Sequence, residues 1–163
     1  MTSSFTKVPV LTKIGYSVGH VLNDMCAAMW FTYLLLFFQK ILLFEKIDAG
    51  IILNVGQVAD GISTVIVGIY IDKRANFWLC NRFGSRKAWH IIGTVCVVIS
   101  FPFIFSQCVG CKDISIEKRM VYYSAFVIIF QFGWAAVQIS HLSIIPDLTS
   151  CDAERTSLTS KRY

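Results

Sequence analysis

Several things are missing from this 163-residue sequence, and each absence narrows what the chain can be. No low-complexity segment, internal repeat or long polar domain interrupts it, so nothing divides it into separate soluble units. No further ligands of fitting spacing accompany Cys108 and Cys111, and a zinc site needs about four, so a metal centre is not expected. No nucleophile–base pair falls on one helical face, which argues against an enzyme. No cofactor is implied. No small-residue cleavage site follows the first apolar run, which is far longer than the roughly 7–15-residue core of a secretory signal; that run is expected to stay in the protein.

What the chain does have is apolar surface. Its hydrophobic share is 55% and its mean hydropathy +0.61, against about 45–50% apolar residues in soluble domains. The excess is concentrated in four stretches, roughly 14–38, 49–71, 88–107 and 121–145, each about the 20 residues that a hydrocarbon core demands. The expected fold is therefore an all-α membrane protein with four transmembrane helices. Residues 1–13 and 146–163 flank them, and Pro146 closes the fourth apolar block. The net charge of +5 sits in short loops beside the apolar blocks. Membrane lipid headgroups and topology account for it better than nucleic acid, and no nucleic-acid partner is expected.

With both ends on one side, Lys7, Lys13, Lys73, Arg74, Arg82, Arg86, Lys87, Arg155, Lys161 and Arg162 share that side. Lys40, Lys46, Lys112, Lys118 and Arg119 lie opposite. The rule that basic loops stay inside then places both termini of the chain in the cytosol. Of the six cysteines, Cys26 and Cys96 fall within apolar blocks, where a free thiol behaves as a small hydrophobe. Cys80 and Cys151 lie in loops on the cytosolic side, where thiols stay reduced. Cys108 and Cys111 are either a local disulfide or redox pair on the opposite side or, as the plainer reading, incidental small residues.

Two carboxylates stand inside the apolar blocks, Asp24 in the first and Asp60 in the second. An acid at the centre of a membrane helix costs about 2.5–3.5 kcal/mol on insertion scales, so it needs a buried role. Because the two helices run in opposite directions, both acids fall near mid-membrane. Facing one cavity, they can bind a cation or share a proton; the plainer alternative is that each helps helix assembly. His20 lies one turn before Asp24, on the same face. In the fourth block Gln131, Trp134, Gln138 and His141 form one polar face, which lines a cavity or supplies interhelical hydrogen bonds. His90 reads as an interface residue near the cytosolic surface rather than a proton relay. Gly15 and Gly19 thin the first helix, and Gly56, Gly61 and Gly68 the second, for close packing.

The loop after the second helix carries the most specific pattern: Gly68-Ile-Tyr-Ile-Asp72-Lys73-Arg74, then Arg82-Phe-Gly84-Ser-Arg86-Lys87. An acid at a helix end beside clustered bases in a tight loop can form ion pairs that break as two bodies rock. This segment resembles the loop between the second and third helices of the major facilitator superfamily. Tyr16-Ser-Val-Gly19-His20, Asp24, Ala59-Asp60-Gly61, Arg86-Lys-Ala-Trp89 and Ile145-Pro146 narrow the likeness to its glycoside-pentoside-hexuronide:cation symporter branch.

That resemblance implies a twelve-helix fold in two halves, of which this chain supplies the N-terminal part. Asp24 and Asp60 correspond to two of the branch's cation- and sugar-binding acids. Two others are replaced, by Thr64 and Gln138, which puts a sodium site and sugar recognition in doubt and leaves proton coupling better supported. Longer phrases, Gly56-Gln-Val-Ala-Asp60-Gly61, Ser100-Phe-Pro-Phe-Ile-Phe-Ser106 and Phe130-Gln-Phe-Gly-Trp134 among them, are similar to a narrower group of the superfamily. That likeness implies cysteine carried from the cytosol into lysosomes and melanosomes.

The implied partners are a small-molecule solute, a coupling proton and membrane lipid. His20, Thr64, Gln138 and His141 join Asp24 and Asp60 as candidate binding residues; Gly68, Asp72, Arg82, Gly84, Arg86 and Lys87 form the candidate gate. Four helices cannot close an alternating-access cavity, so the chain is expected to be a fragment that transports nothing alone. The rivals are a cation-coupled sugar symporter and a non-transporting four-helix protein that binds partners, its own full-length counterpart included.

Overall fold

The computed structural model describes residues 8–73, 78–111 and 114–160. Six helices follow one another: α1 (Val10–Lys40), α2 (Lys46–Asp72), α3 (Trp78–Phe83), α4 (Ser85–Ile104), α5 (Ile116–Leu148) and α6 (Asp152–Ser160). The four long ones are each long and apolar enough to cross a membrane. The chain is thus an all-helical integral membrane protein. Helices satisfy their own backbone groups, which hydrocarbon requires. Small hydroxyls do the same: Thr94 donates to the His90 carbonyl at 2.8 Å, Ser100 to Cys96 at 2.6 Å and Ser143 to Ile139 at 2.8 Å.

Helix bounds depart from the apolar blocks for local reasons. α1 begins at Val10 and extends to Lys40, because polar flanking residues continue a helix as readily as apolar ones. α4 ends at Ile104 and not near residue 107; Pro102, inside its last turn, leaves a carbonyl without its helical donor and weakens the end. α5 runs through Pro146 to Leu148, so the proline does not close it. The expected tight loop contains α3, and Gly84 links α3 to α4 with φ of +85°, a backbone region that favours glycine. Lys7, Arg74, Lys112, Lys161 and Arg162 of the charge argument lie outside the described residues.

α5 is the hub. It packs most extensively against α4 and α2, while α1 touches α2, α4 and α5. The α4–α5 crossing is a backbone contact: a Cβ at Gly93 would lie 2.6 Å from the Gly133 carbonyl oxygen, and one at Gly133 would lie 2.7 Å from Cys96 Cβ. The α1–α2 crossing is a notch, in which the Trp30 indole fills the space over Gly56 and Val127 of α5 closes it. Among the described residues, Gly15, Gly61 and Gly68 have nothing within 4 Å of a Cβ position. The expectation of close packing there is corrected: small residues do that work at Gly56, Gly93 and Gly133.

Toward the Lys40 end, aromatic rings fill the interior. Trp30 stacks on Phe130, and Phe38 meets both Phe44 and Tyr123. Arg119, in the first turn of α5, donates to the Leu42 carbonyl at 2.7 Å, and its guanidinium lies over the Phe44 ring. Tyr123 donates to the Ser106 carbonyl at 2.9 Å. Cys108 and Cys111 are joined as a disulfide, so they are not incidental small residues. The turn between them places Gly110 at φ +81°. At the other end α6 seats Leu158 against Tyr16, Ile145 and Leu148. Lys13 of α1 pairs with Glu154 of α6 at 2.5 Å.

Candidate functional site

The inner face of α1 is unusually polar for a membrane helix. Tyr16, His20 and Asn23 are buried along with Cys26 and Trp30, recurring at the three- and four-residue steps that keep side chains on one face. α5 answers with Gln131, Ser140 and His141, all buried, and with half-buried Gln138. Asn23 Nδ2 donates to Gln138 Oε1 across the interface at 3.4 Å. The polar stripe of α5 therefore points into the bundle. Gln131 is wholly buried, and its amide finds no hydrogen-bond partner among the described residues.

His141 is the centre of the polar region. Its ring stacks on Tyr16 with centroids 4.0 Å apart and on His20 at 4.9 Å, and lies 5.8 Å from the His90 ring. All three histidines of the chain thus meet. His90, expected as an interface residue near the cytosolic surface, is half-buried in this cluster. Sequence spacing could not reveal it, since the three rings come from three helices. The described residues hold no group of three or more His, Cys, Asp and Glu placed to take a metal ion.

His20 Nε2 lies 3.2 Å from Asp24 Oδ1, the buried imidazole holding a carboxylate whose side chain is 42% exposed. Asp60 is half-buried, one turn from buried Gly56 and three residues before buried Ser63, on the inner side of α2. The ion-pair partner of Asp24 is His20, on its own helix. Asp24 and Asp60 agree in depth. With Trp30 over Gly56 marking the antiparallel register, and about 1.5 Å of rise per residue, the two carboxylates lie within roughly one turn of each other. Thr64 is exposed.

Two open cavities reach this region. One, about 500 Å³, is lined by Thr12, Tyr16, Lys87, His90 and His141 with apolar walls from Ile91 and Ile144. A smaller one of about 90 Å³ shares Gly19 and His90 and continues to Asn23 and Thr94.

At the proposed gate, Arg86 pairs with Asp147 at the end of α5. Asp72 is exposed and has no ion pair among the described residues. Arg82 lies about over the rings of Trp78 and Phe83, 6.0 and 5.9 Å from their centroids. A cavity of about 700 Å³ brings Asp72, Gly84, Arg86, Lys87 and Asp147 to its walls. Gly68, half-buried on α2, is not among the residues lining that cavity. Asp147, the partner of Arg86, was missed by sequence reading; only its place just after Pro146 hinted that it sits at a helix end.

A family profile described as MFS/sugar transport protein matches residues 15–163. The chain belongs to this family. Major facilitator superfamily domain-containing protein 12 of Homo sapiens is 52% identical over 155 residues, covering 94% of this chain and 32% of that protein. Its Mus musculus counterpart is 51% identical over 152 residues, 93% of this chain and 31% of that protein. Sodium-dependent lysophosphatidylcholine symporter 1 of Gallus gallus is 28% identical over 156 residues, 96% of this chain and 28% of the symporter. No solved structure matches. This transporter-family chain spans about a third of the length of the curated relatives it matches.

Proposed function

We propose that this chain contributes the first four membrane-spanning helices of a secondary transporter for a small polar solute, driven by a proton gradient or facilitative. The observation that carries this reading is the buried polar array across α1 and α5: Tyr16, His20, Asn23, Gln138 and His141, with Asp24 attached. Polar groups inside a membrane bundle are costly and mark solute or proton pathways. Asp24 and Asp60 hold the coupling proton or orient the solute, with Thr64 at the family position that lacks its acid. Asp72, Arg82, Arg86 and Lys87 act at the cytosolic gate, with Gly68 and Gly84 shaping it.

Cysteine is the proposed solute, and the lysosomal or melanosomal membrane the proposed site, with both ends of this chain cytosolic. That choice follows the similarity to major facilitator superfamily domain-containing protein 12. A sugar symporter is less favoured, because Thr64 and Gln138 replace acids of the sugar-carrying branch. At about a third of its relatives' length, the chain alone is expected to transport nothing.

The test is uptake of labelled cysteine into vesicles holding a complete protein that contains this sequence. Asp60→Asn should reduce uptake at least about tenfold with expression unchanged, as expected when a pathway acid is lost. Unchanged rate and pH dependence would remove Asp60 from the mechanism. A second reading, a helix bundle that docks partners, is favoured by the open face of α2 at Gly61 and Gly68. Co-purification with the complete protein, without uptake, would support it.

A further inference from the structure

α4 ends at Ile104 and α5 begins at Ile116, and the connection between them carries the Cys108–Cys111 disulfide. Both cysteines are half-buried, while Val109 between them is 74% exposed and Gly110 is exposed as well. The Cys111 N–H donates to the Cys108 carbonyl at 3.4 Å, so the bridge closes a single turn of chain. The two sulfurs differ in setting. Cys108 packs against the interior cluster that holds Phe38, Phe44 and Tyr123, and Cys111 follows the exposed pair Val109–Gly110.

A bridge over so short a loop removes little freedom from the unfolded chain, because that contribution grows with the length enclosed. Other links hold the fold at this end. Tyr123 donates to the Ser106 carbonyl at 2.9 Å, Arg119 donates to the Leu42 carbonyl at 2.7 Å, and the Phe38 ring lies against Tyr123. The bundle therefore keeps its packing with the bridge closed or open. A sulfur pair at an exposed turn, on which the fold does not depend, is placed to react.

We propose that Cys108–Cys111 is a thiol–disulfide exchange site for small-molecule thiols, free cysteine among them, which opens and closes with the thiol balance on its own side of the membrane. The inference goes beyond the transport reading and does not depend on it. A small thiolate attacks Cys111 Sγ, the more accessible sulfur. An S–S bond forms there, the Cys108–Cys111 bond breaks, and Cys108 leaves as a thiolate that takes up a proton. A second small thiolate attacks the small molecule's sulfur in this mixed disulfide, releasing Cys111 as a thiolate, which is protonated in turn. Two small thiols are thereby oxidised to one disulfide, and the protein disulfide is reduced to two thiols. The reverse sequence closes the bridge. The free thiols stand apart: Cys26 and Cys96 lie within α1 and α4, and Cys80 and Cys151 toward the opposite end of the bundle. The reductant is thus the small thiol and not a second pair of this chain.

The test places the chain in lipid nanodiscs with mixtures of free cysteine and cystine, followed by acid quench, alkylation and mass mapping of each cysteine. At about 5 mM cysteine and about pH 7.5, without denaturant, the bridge should open within about an hour, as an accessible disulfide does. Raising the ratio of squared cysteine to cystine about a hundredfold should carry the reduced fraction from about one tenth to about nine tenths, as mass action requires of a two-electron couple. The unfolding temperature should be nearly the same in the two states. Given cystine alone, Cys108→Ser should gain a cysteine adduct on Cys111 at least about fivefold faster than Cys111→Ser gains one on Cys108, since access governs the rate. The proposal is overturned if the bridge yields only after the chain is unfolded, if both thiols are free before any reductant is added, if opening the bridge melts the bundle, or if Cys108 is the faster to react.

Discussion

Gly93 of α4 and Gly133 of α5 bring two membrane helices into backbone contact, each lying where the other's side chain would have to be. Neither obstacle is a flexible side-chain tip; on both sides the nearest atoms include main-chain carbonyl oxygens. Gly93→Ala should therefore destabilise the bundle by about 1–3 kcal/mol, the usual cost of overpacking. Gly15→Ala, where a Cβ meets open space, should be neutral or slightly stabilising. Thermal unfolding in detergent compares the two; equal effects would refute the crossing.

Gln131 is wholly buried with an amide that no described residue satisfies. Burying such a group costs about 1–3 kcal/mol, so Gln131→Leu, similar in volume and apolar, should raise stability by about 1 kcal/mol. In a complete transporter the same change is expected to slow uptake, since the amide is kept for solute or water. Lower stability in Gln131→Leu would mean that the amide serves packing instead.

The Arg86–Asp147 pair is more than a third exposed on both sides, so solvent screens it and its loss should cost less than about 1 kcal/mol. Its effect should appear as access. Cys80, buried, lines the same cavity, and Arg86→Ala should speed its alkylation several-fold with the melting temperature nearly unchanged. Restoring slow labelling in the Arg86→Asp/Asp147→Arg double variant would tie the effect to the pair.

Six cysteines and one disulfide give a countable outcome. Alkylation of the unfolded, unreduced chain should modify the four free thiols, Cys26, Cys80, Cys96 and Cys151. Reduction should expose Cys108 and Cys111 as well. Mass spectrometry reads the difference directly, and six adducts before reduction would contradict the bridge.

The four spans were legible because hydrocarbon thickness sets a length that composition alone can meet. Their ends were less so. Apolar content stops where lipid stops, while a helix continues until its hydrogen bonds run out, as α1 does before and after its apolar block. His20 and Asp24 could be joined on paper because one turn of helix separates them. His141 and His90 could not, since their meeting depends on how α4 and α5 cross. That crossing is set by Gly93 and Gly133, two glycines whose sequence surroundings look ordinary. The Arg86–Asp147 pair was not legible, because it depends on α5 running past Pro146 and carrying Asp147 beside the start of α4.

Arg119 fastens the far end of the molecule. Its guanidinium closes the carbonyl end of α1 through Leu42 and rests on Phe44, tying the α1–α2 turn to the start of α5 within a packed aromatic interior. The opposite end is held by the part-exposed pair Arg86–Asp147 and by a short helix anchored on Leu158. Stiffness in this bundle is therefore graded along its axis. Splaying of the four helices is expected to start at the part-exposed Arg86–Asp147 end and to leave the Arg119 clasp and its aromatic surroundings least disturbed.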